Sequence, residues 1–137
     1  MKILVTGASG LVGSAVMRVS PEFGDLQIHG ISSKDVDLRN SGECTNIFSK
    51  IQPDYVIHLA ARVGGVLANY NNLCDFFVDN ILINTNVIET SKKFKVKKLI
   101  TLLSTCVFPD IIEFPIKAEC LHNGEPHFSN YGYAYAK

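Results

Sequence analysis

Residues 2–13 read KILVTGASGLVG, and this stretch decides the fold. Its first half, KILVT, is a short aliphatic and β-branched run closed by glycine, which reads as a buried strand. Its second half opens a periodic segment predicted as a helix from Gly10 to Val19, with Leu11, Ala15 and Val19 on one stripe and Pro21 and Gly24 ending it. A glycine loop between a strand and a helix is the setting in which main-chain N–H groups and the helix dipole meet an anion. Gly7 permits the tight turn, Gly10 lets the backbone approach a pyrophosphate, and Gly13 packs the helix on the strand. The spacing is G-x-x-G-x-x-G rather than G-x-G-x-x-G, so an ordinary strand–helix turn is the plainer alternative. The element order on both sides favours a dinucleotide.

Working outward, strands are predicted at Leu26–Ile31, Asp54–His58 and Lys98–Leu103. Helices are predicted at Ser41–Ile51, carrying Ile47, Phe48 and Ile51, and from Leu73 to Lys92. Strands alternating with helices imply right-handed crossovers and a parallel sheet, hence an α/β fold of the Rossmann, doubly wound type. Pro109 to Asn130 reads as a long loop of the kind that is functional or disordered. At 137 residues a single domain, 1–137, is expected. Apolar residues at 47% and charged ones at 19% suit a buried core rather than a disordered chain. Thirteen basic residues balance thirteen acidic ones, which leaves no electrostatic footprint for nucleic acid or an anionic membrane. No apolar run reaches the ~20 residues of a membrane span. Cys44, Cys74, Cys106 and Cys120, with the four histidines, show no zinc-like spacing, so no metal is expected, and free thiols point to the cytoplasm.

Cofactor choice is read from the end of the second strand. NAD would want an acid there, but the chain runs Ser32-Ser33-Lys34 before Asp35. Small hydroxyls and a lysine suit a 2′-phosphate, so Ser33 and Lys34 favour NADP(H), while Asp37 and Leu38 follow as an edge and wall for adenine. On the long helix Leu73, Phe76, Phe77, Val87 and Ile88 form an apolar stripe on which Asn80 and Asn84 also fall. Buried amides require partners. Either they satisfy neighbouring loop backbone, or Asn80 lies beneath an active site and orders a proton-relay water. Ser104 and Cys106 come just past the fourth strand, at the carboxyl end where open α/β sheets bind ligands. Tyr133 and Lys137 are four apart, neighbours on a helix, and a cation there would favour tyrosinate.

These features together resemble the extended short-chain dehydrogenase/reductase superfamily, and within it the epimerase-reductases of GDP-4-keto-6-deoxymannose. The resemblance spans the whole chain through TGASGLVGSA (6–15), SSKDVDL (32–38), VIHLAARVGG (56–65), LSTCVFP (103–109), HNGEP (122–126) and SNYGYAYAK (129–137). It implies that Ser104 and Tyr133 hold a C4 ketone, with Tyr133 giving the proton. Lys137 would bind nicotinamide ribose and lower the tyrosine pKa, and Cys106 would be the base that epimerises C3 and C5. It further implies cofactor contacts from Gly7, Ser9, Gly10, Leu11, Val12, Gly13, Leu59, Ala60, Ala61 and Asn80, a GDP-sugar substrate and a homodimer. Ser9 stands where some relatives carry an arginine for the 2′-phosphate. The same likeness implies that further strands and a substrate domain follow in such enzymes, so that residues 1–137 alone lack synthase activity and present the fourth strand as an edge. The competing readings are another nucleotide-sugar epimerase or dehydratase, or a non-catalytic dinucleotide-binding module.

Overall fold

The computed structural model describes residues 1–137. The chain forms two compact units, Met1–Ala61 with Leu82–Leu102, and Arg62–Ile81 with Leu103–Lys137.

The first unit holds β1 (Lys2–Thr6), α1 (Leu11–Val19), β2 (Gln27–Ile31), α2 (Ser41–Ile51), β3 (Tyr55–His58), β4 (Lys98–Thr101) and the later part of α4 (Leu73–Lys93). The four strands form one parallel sheet in the order β2-β1-β3-β4. The chain therefore leaves β1 in one direction and returns to β3 on its other side, a topological switch point beside the loop that follows β1. The predicted Rossmann-type sheet is present, and β4 is an edge strand. β1 and β3 are the middle strands, and Leu4, Val5 and Val56 are buried, as strands covered on both faces require. Asn40 starts α2 by accepting from the N–H groups of Gly42 and Glu43, and Gln52 ends it at φ 53° just before Pro53. α2 then buries Cys44, Phe48 and Ile51 among Leu4, Ile31, Val36, Leu38, Val56 and Val87. Fully burying a side chain such as Phe48 is worth about 1.5–3 kcal/mol.

Two apolar stripes differ from expectation. In α1, Leu11 is 91% exposed and Val19 is exposed too, while the buried residue is Gly13. A Cβ at Gly13 would collide with the Gly7 carbonyl oxygen, so the helix packs by its bare backbone rather than by a leucine stripe. In α4, Phe77 and Ile88 are exposed, whereas Phe76 and Val87 are buried. Adjacent helical residues diverge by about 100°, so at the border of the inward face Phe77 turns out beside Phe76 and Ile88 beside Val87. The inward stripe is Phe76, Asn80, Asn86, Val87 and the small Thr90 and Ser91.

The second unit contains α3 (Val66–Asn71), the start of α4, the 3₁₀ turns Thr105–Val107, Ala118–His122 and Phe128–Asn130, and α5 (Tyr131–Ala136). The α3 helix was not expected, its six residues being too short to show a period. The 109–130 segment, expected as plain loop, carries two of the 3₁₀ turns. It closes on itself where Asp110 N–H donates to the Glu125 carbonyl at 2.9 Å. α5 packs on Leu73 through Gly132, where a Cβ would collide with the Leu73 carbonyl oxygen.

Candidate nucleotide and acid–base sites

In the first unit the glycine loop has the form its letters predict. Gly7 sits at φ +71°, a left-handed conformation that glycine adopts at no steric cost. A Cβ there would fall 2.7 Å from the Ala60 nitrogen, so the turn after β1 lies directly on the chain leaving β3. Gly10 N–H donates back to the Gly7 carbonyl at 3.0 Å, and Gly10 then caps α1 with no side-chain hydrogen bond. No acid lies in the first turn of this nine-residue helix, and Ser9, Gly10, Leu11 and Val12 are exposed. The cradle therefore has no competing carboxylate and no side chain that would fill the place of a phosphate, so it fits a pyrophosphate.

Beyond β2, Ser33 and Lys34 are exposed on a turn stapled by Asp35, whose carboxylate accepts from Ser32 N–H at 2.8 Å and Ser32 Oγ at 2.7 Å. Those bonds hold the Asp35 carboxyl below its usual range. Asp37 is likewise held low, chiefly by Arg39, whose Nε and Nη2 reach its two oxygens at 2.9 and 2.8 Å. Leu38 is a core residue, 7% exposed, and its carbonyl accepts from Asn86 Nδ2 at 2.9 Å. Leu59, Ala60 and Ala61 are half-buried beyond the end of β3.

Asn84 lies in the first unit, with its Oδ1 3.1 Å from His58 Nε2. Asn80 lies in the second, fully buried. Its Oδ1 accepts from Arg62 N–H at 2.9 Å, and its Nδ2 donates to the carbonyls of Arg62 at 3.0 Å and Phe76 at 2.7 Å. Of the two roles open to Asn80, the geometry displays the clamp on loop backbone.

The second unit also brings Ser104, Cys106, Tyr133 and Lys137 into one body. Ser104 starts a 3₁₀ turn, its Oγ accepting from Cys106 N–H at 3.2 Å. The Tyr133 phenol is pushed above its ordinary pKa, first by burial and also by charge on Cys106, while a hydrogen bond with Ser104 opposes the rise. This reverses the expected direction: burial outweighs any help towards tyrosinate. Lys137 is pushed down by burial, as a desolvated ammonium should be. Lys137 N–H reaches the Tyr133 carbonyl at 3.2 Å, so the two stand one helical turn apart.

Several partners were not foreseen. Thr6 and His58 are fully buried polar residues on the two middle strands, and Thr6 Oγ1 lies 2.6 Å from His58 Nδ1. The signal available was polar residues ending otherwise apolar strands. Tyr131, whose hydroxyl donates to Glu125, gave no local signal at all.

Comparison with known proteins agrees with this geometry. Residues 3–137 match the NAD dependent epimerase/dehydratase family. The chain is 49% identical over 140 residues to a probable GDP-L-fucose synthase of Drosophila melanogaster, covering 99% of this chain and 43% of that one. It is 46% identical over 138 residues to a GDP-L-fucose synthase of Dictyostelium discoideum, with 98% and 43% covered. A solved GDP-L-fucose synthetase from Naegleria fowleri bound to NADP is similar at a TM-score of 0.89 and 47% identity, over 98% of this chain and 40% of that one. The chain thus spans less than half the length of the curated relatives it matches. With the family match running over nearly all of its residues, the chain belongs to the NAD dependent epimerase/dehydratase family.

Proposed function

We propose that residues 1–137 form the NADP(H)-binding domain of a GDP-sugar epimerase-reductase, one that carries GDP-4-keto-6-deoxy-D-mannose to GDP-L-fucose by 3,5-epimerisation and 4-reduction. The observation that carries this reading is the grouping of Ser104, Cys106 and Tyr133, in which Ser104 Oγ accepts from Cys106 N–H at 3.2 Å and is hydrogen-bonded to the Tyr133 phenol. A cytoplasmic homodimer is part of the same reading.

When bound, NADPH supplies the hydride for C4. Gly7, Ser9, Gly10, Leu11, Val12 and Gly13 would hold its pyrophosphate, Ser33 and Lys34 the 2′-phosphate, Asp37 and Leu38 the adenine edge, and Lys137 the nicotinamide ribose. Leu59, Ala60 and Ala61 would line its course, and Asn80 would act through the Arg62 backbone that it clamps. Ser104 donates to the C4 oxygen and orients it. Tyr133 would act as the acid that gives its phenol proton to that oxygen. Cys106 would be the base that takes the protons at C3 and C5, which are acidic because they flank a carbonyl, and a proton returned to the opposite face of each carbon would complete the inversion.

Cys106→Ser in the whole protein is expected to abolish exchange of the C3 and C5 protons with D₂O, while reduction of a ketone already epimerised persists. Tyr133→Phe is expected to slow reduction by roughly 10²–10⁴-fold, the usual share of a general acid. Wild-type exchange in the Cys106 variant would exclude the thiol as the base and favour another nucleotide-sugar epimerase or dehydratase.

A further inference from the structure

The buried contact between Thr6 and His58 continues to Asn84, giving a chain of hydrogen bonds inside the first unit. Thr6 and His58 are 0% and 1% exposed, so water does not share in the bond between them, while Asn84 is half-buried. The direction of each bond follows from counting protons and lone pairs. A threonine hydroxyl has one proton and two lone pairs. Thr6 Oγ1 accepts from the N–H groups of both Leu59 and Ala60, each at 3.2 Å, and the Leu59 N–H is shared with the Thr6 carbonyl. With both lone pairs engaged, the hydroxyl proton is left for His58 Nδ1, which must then be bare. A neutral imidazole with a bare Nδ1 carries its proton on Nε2, and that N–H donates to Asn84 Oδ1 at 3.1 Å. The opposite tautomer would aim a third N–H at the Thr6 oxygen, strand the hydroxyl proton, and set the Nε2 lone pair against the Asn84 oxygen. An imidazolium would make the first two of those errors.

The main-chain groups held by Thr6 are the ones that Gly7 touches. A Cβ on Gly7 would stand 2.7 Å from the Ala60 nitrogen and 2.8 Å from the Leu59 carbonyl carbon. Gly7 is therefore packed on this segment with no room to spare, and a shift of a few tenths of an ångström at Leu59 or Ala60 must be passed to the turn. We propose that His58, as the neutral Nε2–H tautomer, is a positioning residue for the nucleotide turn: it aims the Thr6 hydroxyl, which fixes the Leu59–Ala60 backbone against which Gly7 is set. This rests on the NADP(H)-binding reading above.

The test combines a spectroscopic and a binding measurement on the whole protein. ¹⁵N NMR of the histidine ring at neutral pH is expected to show a pyridine-type Nδ1 and a pyrrole-type Nε2 for His58. A proton on Nδ1 would overturn the proposal without any variant. His58→Phe, which keeps the bulk and removes the acceptor, is expected to weaken NADPH binding about tenfold, equivalent to about 1.4 kcal/mol, with kcat at saturation unchanged. His58→Asn places an amide oxygen where Nδ1 was and is expected to stay within about threefold of wild type, by the same scale. The double variant Thr6→Val/His58→Phe is expected to bind no worse than the weaker single variant, because both break one chain. Wild-type affinity in a folded His58→Phe protein would overturn the proposal. Should the unsubstituted protein bind no NADPH, the function proposed above fails instead. His58 is then judged by its tautomer and by hydrogen exchange at Leu59 and Ala60, where unchanged protection in the His58→Phe protein would overturn the role.

Discussion

What a methyl group would meet differs sharply among the glycines. At Gly13 it would collide with the Gly7 carbonyl oxygen, and at Gly132 with the Leu73 carbonyl oxygen, both backbone atoms that no rotamer change can move. At Gly24 it would meet nothing within 4 Å. Gly13→Ala and Gly132→Ala are therefore expected to lose about 1–3 kcal/mol of stability or more, the usual cost of forcing atoms into a packed interior. Gly24→Ala should stay within about 0.5 kcal/mol of wild type. Urea unfolding of the three variants checks this, and equal midpoints would refute it. Gly10 and Gly13 were legible in the sequence because what a Cβ would meet there belongs to the same loop, and Gly7 because its φ of +71° is a requirement of the turn itself, although the Ala60 nitrogen it packs on is distant. Gly132 was not, because the Leu73 carbonyl that excludes a side chain there belongs to a distant part of the chain. Tyr133 and Lys137 were legible as a pair by their spacing, but the direction of the tyrosine shift depends on burial, which spacing does not reveal.

Helix α4 is held to its surroundings by amides rather than by leucines alone. Asn80 clamps both main-chain groups of Arg62, and Asn86 Nδ2 donates to the carbonyls of Leu38 and Arg39, each at 2.9 Å. Asn80→Leu has nearly the right volume and removes both bonds to Arg62. It is expected to cost about 1–3 kcal/mol for each backbone group left buried without a partner, read as a lower urea midpoint at an unchanged slope. A protein as stable as wild type would mean that Arg62 finds water, and the clamp would then count for little. The helix itself could be read from its period almost to the residue, from Leu73 to within one position of Lys93. That Asn80 and Asn84 lay towards its inner face was also readable, whereas Asn86 was not singled out. Their partners were not, since Arg62, His58, Leu38 and Arg39 sit in three separate loops and strand ends. Phe77 and Ile88 misled because each stands beside a residue, Phe76 or Val87, that is buried in its place.

At the scale of the whole molecule, alternation of strands and helices was enough to predict the parallel sheet, and right-handed crossovers then restrict its order. The division into two compact units left no mark in composition, since no linker or charge run separates them. The strand order has a result for assembly. β1 and β3 are adjacent in the sheet, yet Thr6 and His58 are 52 positions apart in the chain. Pairing them requires β2 and α2 to be looped out first, with the closure entropy that a long loop carries. NADPH binding and the far-ultraviolet signal of the sheet are accordingly expected to be lost at one urea concentration, and binding lost well before the sheet would contradict this. A motif of eight letters, TGASGLVG, thus becomes a site only after a non-local event. A nascent or half-folded chain that already carries those letters has no cradle to offer. On the proposed reading the nucleotide would act as an inspector of finished sheets, trapping chains that have paired β1 with β3 and giving no help to those that have not.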